Sequence, residues 1–192
     1  MSYAYYNTTG LVLSSEVEGE SKTFISVLTP EYGLIFAEAR GLSKPESKLR
    51  YSLDPFTEGD FSFIRGKSGW RIVNARPVVH WFHQLKGEVS RRETALRVLR
   101  LAYSHIPRDQ EEVKAFEIVM DFLRVIKSAP LNDLVFIETY SVFHLLATLG
   151  YVATTESVPY APWSENMLTD IAISKSNMVK SINKALSSSH LS

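Results

Sequence analysis

The chain of 192 residues is long enough for one large domain or two small ones. Lysine plus arginine equals aspartate plus glutamate, at 21 each, so no overall positive charge indicates nucleic acid, and a polyanionic ligand would have to bind a local basic patch. Cysteine is absent, which excludes disulfide bonds and cysteine-ligated zinc and suits a reducing compartment.

The N-terminal residues contain three tyrosines but no export or membrane signal. Residues 1–10 lack the basic region and apolar core of a signal peptide, and no stretch approaches the roughly 18 consecutive apolar residues of a membrane span. We therefore expect a cytoplasmic protein without a membrane partner. We expect Tyr3, Tyr5 and Tyr6 to pack against the first domain, and stacking on nucleic-acid bases is the alternative.

The first 80 residues show the alternation of side chains that is typical of β-strands. Residues 29–33 and 66–69 are expected to be turns because glycine and proline favour chain reversal. Five short extended runs joined by turns fit a small closed barrel such as an OB-fold. These runs are residues 11–13, 24–28, 34–39, 54–65 and 70–75.

Basic residues concentrate directly after the third extended run. Residues 40–50 contain four cations and one acid, and their glycine, serine and proline residues favour a loop. A solvated loop that aids solubility is one interpretation, and a loop that contacts a phosphate backbone is the other. The expected contacts to phosphate are Arg40, Lys44, Lys48 and Arg50, joined by Lys22, Arg65, Lys67 and Arg71, with Trp70 as a stacking surface or a core residue. Phe61 and Phe63 are expected in the core, and a stacking surface is the alternative for them.

From about residue 84 the apolar period changes from two to 3.6, which predicts helices. Ser90 and Glu93 have the spacing of a capping box at the start of the first long helix, which ends before Pro107. The other helices are expected at residues 109–130, 132–149 and 164–186. The helix over residues 132–149 is apolar nearly all round, which indicates a central helix of a bundle or, alternatively, a surface for a partner.

The chain resembles the RecO family of bacterial recombination mediators in the order and spacing of short motifs. The motifs are Thr9-Gly10-Leu11-Val12-Leu13, Gly19-Glu20-Ser21, Leu28-Thr29 with Gly33-Leu34, Ala39-Arg40-Gly41, Lys44, Ser47-Lys48-Leu49 and Pro55-Phe56-Thr57.

The resemblance implies a two-domain α+β chain, with an OB-fold β-barrel at residues 1–80 and an all-α domain at residues 84–192. It implies a DNA repair and recombination mediator that binds single-stranded DNA, promotes strand annealing and helps to load recombinase. The implied partners are single-stranded DNA, single-strand-binding protein, a RecR-like mediator and recombinase. No cofactor and no small-molecule substrate are expected.

The resemblance continues more weakly into the second half. Residues 136–138, 145–146 and 149–151 are similar to the helix and Leu-Gly step that precede a zinc-binding segment in many RecO proteins. Residues 152–163 contain no cysteine, so the zinc site of those relatives is absent, as it is in some other members. We therefore expect ordinary packing to replace the metal.

Two other functions stay open. A protein adaptor of the recombination machinery that does not bind DNA directly would agree with the zero net charge. An enzyme is the second alternative, although no Ser-His-Asp arrangement or known acid–base pair is recognisable. His80 and His83 could share a helical face as metal ligands, but no third ligand is near them in sequence, so we expect them to pack between the domains and expect no catalytic or metal-binding residue.

Overall fold

The computed structural model describes residues 4–18, 22–40, 51–152 and 160–189. It contains two compact units, of which the first is Met1–Gln84 with Ile106–Phe116 and the second is Leu85–His105 with Glu117–Ser192. Residues 106–116, which the sequence-based division places in the helical domain, belong by their contacts to the first unit. The division into independent domains at residues 80–84 stays a prediction.

The first unit is a closed five-stranded barrel with the order β1-β2-β3-β5-β4. The pair β3 and β5 is parallel and every other pair is antiparallel. This closed barrel, followed by helices, confirms the fold class expected from the sequence. The strands are β1 (Tyr5–Glu18), β2 (Lys22–Thr29), β3 (Gly33–Ala39), β4 (Thr57–Gly66) and β5 (Gly69–His80).

The barrel interior is filled by the side chains that alternate inward along the strands. Phe61 and Phe63 are 2% and 0% exposed, so both are core residues as predicted. Tyr6 packs edge-on against the ring of Trp70, with 5.0 Å between centroids, whereas Tyr5 is exposed and Tyr3 lies outside the described residues. The core cluster is Val12, Ile25, Val27, Ile35, Ala37, Ala39, Leu53, Phe61, Phe63, Trp70 and Ile72.

The four long helices predicted from the sequence are present, and a four-residue helix precedes them. The first long helix begins one residue before the expected cap residue Ser90. Gly150, with φ of 81°, ends the third long helix, as the sequence indicates. The helices are α1 (Trp81–Gln84), α2 (Val89–His105), α3 (Val113–Ile126), α4 (Leu134–Thr148) and α5 (Leu168–Ser189), with short 3-10 turns at Leu131–Asp133 and Glu165–Met167. None of the helices in the described ranges is long and apolar enough to cross a membrane.

Helix α4 is the central helix of the second unit. It packs against α2 and α5, and Phe143 and Leu146 are buried in the cluster that it shares with Ala185. Arg97 of α2 forms two hydrogen bonds with the carboxylate of Glu138 on α4, at 2.6 and 2.7 Å. The apolar circumference of this helix is therefore explained largely by packing on several sides.

Hydrogen bonds anchor Tyr160 and Ala161 to α3 and α4. The Tyr140 hydroxyl donates to the Ala161 carbonyl at 2.9 Å and accepts from the Ala161 N–H at 3.2 Å. The Tyr160 hydroxyl donates to Asp121 at 3.0 Å, and this carboxylate also accepts from Arg124. Burial and the neighbouring Asp121 carboxylate raise the pKa of Tyr160, so it stays a neutral donor. Among the described residues, no group of three or more His, Asp or Glu side chains is arranged to bind a metal ion.

Candidate nucleic-acid interface

Two phenylalanines form a stacked pair on the outer surface of strands β2 and β3. Ile25 and Ile35 point into the barrel. Successive side chains of a strand point to opposite faces, so Phe24, which precedes Ile25, and Phe36, which follows Ile35, point outward. Their rings are nearly parallel, at an interplanar angle of 2° with 5.1 Å between centroids. Phe24 is half-buried and Phe36 is 36% exposed. An exposed aromatic surface of this kind can accept a nucleobase by stacking.

Three of the expected cations converge beside this aromatic pair. Arg40 donates two hydrogen bonds to the Glu38 carboxylate, at 3.0 and 3.2 Å. The Arg40 hydrogen bond lowers the pKa of Glu38 against the opposing effect of burial, and the charges of Arg40, Arg71 and Lys22 lower it further. Lys22, Arg40 and Arg71 therefore lie around one carboxylate, although they come from three different strands or strand ends. We define the β2–β3 face as the outward side chains of Lys22, Phe24, Phe36, Glu38, Arg40 and Arg71.

The β2–β3 face has an acidic border along β1. Glu16 lies opposite Phe24 in the strand pairing, and Glu18 lies opposite Lys22. Because carboxylates repel phosphates, this border disfavours a polyanion that runs over β1. The part of this face that is suited to a polyanion therefore lies toward β3 and β5, away from Glu16 and Glu18.

The other cations that were expected to contact phosphate are distributed differently. Arg65 donates to Asp109 at 3.2 Å, and its guanidinium lies 5.0 Å from the centre of the Trp70 ring. Lys67 is exposed in the turn between β4 and β5. Lys44, Lys48 and Arg50 lie outside the described residues, and their contacts with phosphate stay a prediction.

Trp70 occupies a core position in the structure. It is 6% exposed, and its indole N–H donates to Asp109 at 2.5 Å. Aromatic rings of Tyr6, Tyr32 and Phe63 pack around it. In this arrangement Trp70 positions the end of the barrel, and the exposed stacking surface is the pair Phe24 and Phe36.

The sequence-based prediction of the site did not include Phe24 and Phe36. The available signal was the strand alternation itself, because both phenylalanines occupy positions opposite in phase to the apolar core residues. An aromatic residue at an outward position of a β-hairpin requires an explanation, whereas an inward one does not. Charge alone, which guided the prediction, identified Lys22, Arg40 and Arg71.

His80 ends β5 and His83 follows it. Among the described residues they belong to no group arranged to bind a metal ion. The His80 Nδ1 atom lies 3.0 Å from the Thr57 hydroxyl, and burial lowers the pKa of His80, with the nearby His83 lowering it further. The adjacent Trp81 is 4% exposed and donates to Glu58 at 3.0 Å. These contacts are those of a packed strand end.

An open cleft of about 390 Å³ lies in the second unit. It lies where α3 ends and the 3-10 turn at Leu131–Asp133 begins. Arg124 and Asp133 both line it, so its charges are mixed and do not select one sign of ligand. The β2–β3 face is the stronger candidate because it combines an exposed aromatic pair with converging cations.

Comparisons with known proteins agree with the barrel. The family model described as "Recombination protein O N terminal" matches residues 1–98, just over half of the chain. A protein named DNA repair protein RecO from Synechococcus sp. (strain JA-2-3B'a(2-13)) is 28% identical over 169 residues, which cover 82% of this chain and 58% of that protein.

Two further relatives with the same name are more distant in coverage or identity. The protein from Acetivibrio thermocellus is 23% identical over 159 residues, covering 83% of this chain and 59% of that protein. The protein from Synechocystis sp. is 41% identical over 70 residues, covering 36% of this chain and 26% of that protein. The chain thus spans less than three fifths of the length of these relatives. Because the family model covers more than half of the chain, the chain belongs to the RecO family.

Proposed function

We propose that the barrel binds single-stranded DNA across the β2–β3 face and that the chain acts as a DNA repair and recombination mediator. The observation that supports this most is the stacked pair Phe24 and Phe36 beside Lys22, Arg40 and Arg71. OB-fold proteins bind single strands with this combination of stacking aromatics and a cationic surface.

The two kinds of side chain have different roles in the proposed interaction. A base that packs against the exposed part of the Phe24–Phe36 pair contributes about 1–3 kcal/mol without selecting a sequence. Lys22 and Arg71 contact phosphates and release condensed counterions, so the affinity falls as salt concentration rises. Neutralised phosphates on two strands repel each other less, which favours annealing of complementary strands.

The relatives named DNA repair protein RecO support the wider part of the proposal. We propose that the chain promotes recombinase loading together with single-strand-binding protein and a RecR-like mediator. These steps require binding and positioning alone, so no catalytic residue, metal or cofactor has a role in them. The described cations of the barrel provide the DNA contact, and the helical unit provides surface for protein partners.

The zero net charge favours a second candidate, a protein adaptor without direct DNA binding. Salt-dependent binding of labelled single strands separates the two functions. The mediator requires affinity at low salt that decreases linearly in a plot of log affinity against log salt. Absence of binding at low salt by the folded chain would favour the adaptor.

Variants of the β2–β3 face test the site directly. Replacing Lys22 and Arg71 together by alanine should flatten the salt slope by about 1.4, because each lost phosphate contact contributes about 0.7. Phe36→Leu should weaken binding at every salt concentration and leave the slope unchanged. Arg76→Ala is the control, because Arg76 pairs with Asp60 on β4 rather than facing β2 and β3. A wild-type slope in the folded double variant would contradict the assignment.

The loop cations that follow β3 are tested in the same assay. Replacing Lys44, Lys48 and Arg50 together by alanine should weaken binding for all sequences alike and flatten the salt slope by roughly two. If the folded triple variant keeps the wild-type slope, these three residues do not contact phosphate.

A further inference from the structure

The segment between α2 and α3 docks on the barrel beside the β2–β3 turn. We call residues 106–112 the α2–α3 connector. The Leu34 N–H donates to the Pro107 carbonyl at 3.0 Å, and the Glu112 N–H donates to the Pro30 carbonyl at 2.9 Å. Both ends of the connector are thus bonded to the β2–β3 hairpin through backbone groups.

Gly33 shows how closely the connector approaches the turn. Its φ is 58°, and a Cβ atom at this position would collide with the carbonyl oxygens of Pro107 and Gln110. Both the positive φ and the lack of room for a Cβ atom therefore require glycine at this position. The connector is a fixed part of the barrel surface, although it is distant in sequence from every strand.

This docking places Arg108 next to the exposed aromatic pair. Arg108 bridges through its backbone with Gly33 and Leu34, and its guanidinium carbon lies 5.6 Å from the centre of the Phe36 ring. The distance is within the range of a cation–π interaction. The stacked guanidinium remains exposed, with its donors available to a ligand.

Among the residues that the structure describes, Arg108 differs from Arg40 and Arg65 in its ion pairing. Arg40 is paired with Glu38, and Arg65 is paired with Asp109. No carboxylate among the residues that the structure describes forms an ion pair with Arg108. A planar, oriented guanidinium without a carboxylate partner is suited to bind a phosphate group.

We propose that Arg108 completes the β2–β3 face by contacting a phosphate of a strand whose bases pack beside the Phe24–Phe36 pair. This inference rests on the proposed function and extends it to a residue of the α2–α3 connector. The binding site is then built from the barrel and from a segment between two helices. Because binding free energies are reciprocal, a bound strand stabilises the docked connector, and displacement of the connector weakens DNA binding.

The experiment compares single-strand affinity and its salt dependence in full-length variants. Arg108→Ala should flatten the salt slope by about 0.7 and lower the affinity about fivefold at 0.1 M salt, as expected for one lost phosphate contact. Arg108→Lys should keep the slope but lose part of the affinity, because lysine keeps the charge without the stacked planar group. Arg76→Ala, which removes one exposed arginine elsewhere on the barrel, should change neither quantity.

Hydrogen exchange provides a second readout that a purely structural Arg108 would not change. Saturating single-stranded DNA should slow amide exchange in residues 106–112 of the wild type and have less effect in Arg108→Ala. Wild-type affinity and slope in Arg108→Ala, with weakened binding in Phe36→Leu, would overturn the role of Arg108 and leave the proposed function intact. Wild-type binding in both variants, or no binding by the wild type at low salt, would instead reject the β2–β3 face and the inference with it.

Discussion

The indole N–H of Trp70 donates a hydrogen bond to the carboxylate of Asp109, 39 residues later in the chain, at 2.5 Å. The second oxygen of this carboxylate accepts from Arg65 at 3.2 Å. Asp109 has a φ of 57°, which is unusual for a residue other than glycine but is tolerated by aspartate and asparagine. This one side chain therefore joins the α2–α3 connector to the core of the barrel.

Removal of the Asp109 carboxylate should destabilise the first unit. Asp109→Ala leaves the nearly buried Trp70 donor without its partner and places alanine at positive φ, so we expect a loss of about 2 kcal/mol or more in the free energy of unfolding. Asp109→Asn is the matched control, because its amide oxygen can accept from Trp70 and only the exposed pair with Arg65 is lost, which is worth about 0–1 kcal/mol. Denaturant unfolding followed by tryptophan fluorescence measures both. Equal losses in the two variants would contradict this role of Trp70.

Because the connector is bonded to the barrel, we expect a barrel without the connector to be less stable. A fragment ending after Gly87 keeps all five strands but lacks residues 106–112, so Leu34 and Trp70 lose hydrogen-bond partners. We expect this fragment to melt at a lower temperature than the first unit of the full chain. A synthetic peptide of residues 104–116 should raise its melting temperature in a concentration-dependent way. The same peptide with Asp109→Ala is the control, and an equal effect of both peptides would argue against specific docking.

Much of the fold could be predicted from the sequence because its signals are local. Strand alternation, the turn at residues 29–33 and the 3.6-residue period after residue 84 fixed the barrel and the four long helices. The docked connector could not be predicted in this way. Its hydrogen bonds to Leu34 and Trp70 join residues far apart in the chain, and no periodicity reports such contacts.

The candidate site likewise contains some residues that local sequence patterns indicate and others that they do not. Charge along the sequence selects Lys22, Arg40 and Arg71 as candidates, and in the structure all three lower the pKa of Glu38. Their contact with phosphate stays a prediction. The sequence alone allows Trp70 to be either a stacking surface or a core residue, and its burial depends on a hydrogen-bond acceptor 39 residues away. Arg108 carries no local signal, because its place beside Phe36 depends on the path of the connector.

Tyr160 and Ala161 should be held in place without a metal ion. The Tyr140 hydroxyl makes two hydrogen bonds with Ala161, and Asp121 accepts from Tyr160. A chelator should therefore leave the melting temperature unchanged, whereas Tyr140→Phe should lower the free energy of unfolding by about 0.5–1.5 kcal/mol, because both hydrogen bonds to the exposed Ala161 are lost. A clear drop in melting temperature with chelator would show that a metal ion contributes to the fold.

The stability of the second unit should fall as the pH decreases below neutrality. His144 is 3% exposed, and burial lowers its pKa to about 4 from the ordinary 6.5. Below pH 6.5 the unfolded state binds a proton that the folded state excludes, so stability present above pH 6.5 is lost as the pH falls toward 4. Between pH 7 and pH 5 this loss amounts to about 2 kcal/mol.

The measurement for this prediction is the free energy of unfolding at several pH values. His144→Gln should flatten the dependence between pH 7 and pH 5, even if it lowers stability at every pH. His80, whose pKa is also lowered, belongs to the first unit and should contribute to the pH dependence of that unit instead. An unchanged dependence in His144→Gln would show that His144 does not stay neutral in the folded chain.

The most direct measurement of DNA binding by the β2–β3 face is a photo-crosslink between the full-length protein and a single strand that carries 5-iodouracil. A stacked base would place its reactive carbon against the exposed Phe36 or the half-buried Phe24, so the crosslinked peptides should contain one of these residues. Phe36→Leu should reduce that product, and Arg76→Ala should not. Crosslinks confined to residues 85–105 or 117–189, at salt concentrations where the strand is bound, would contradict DNA binding by the barrel.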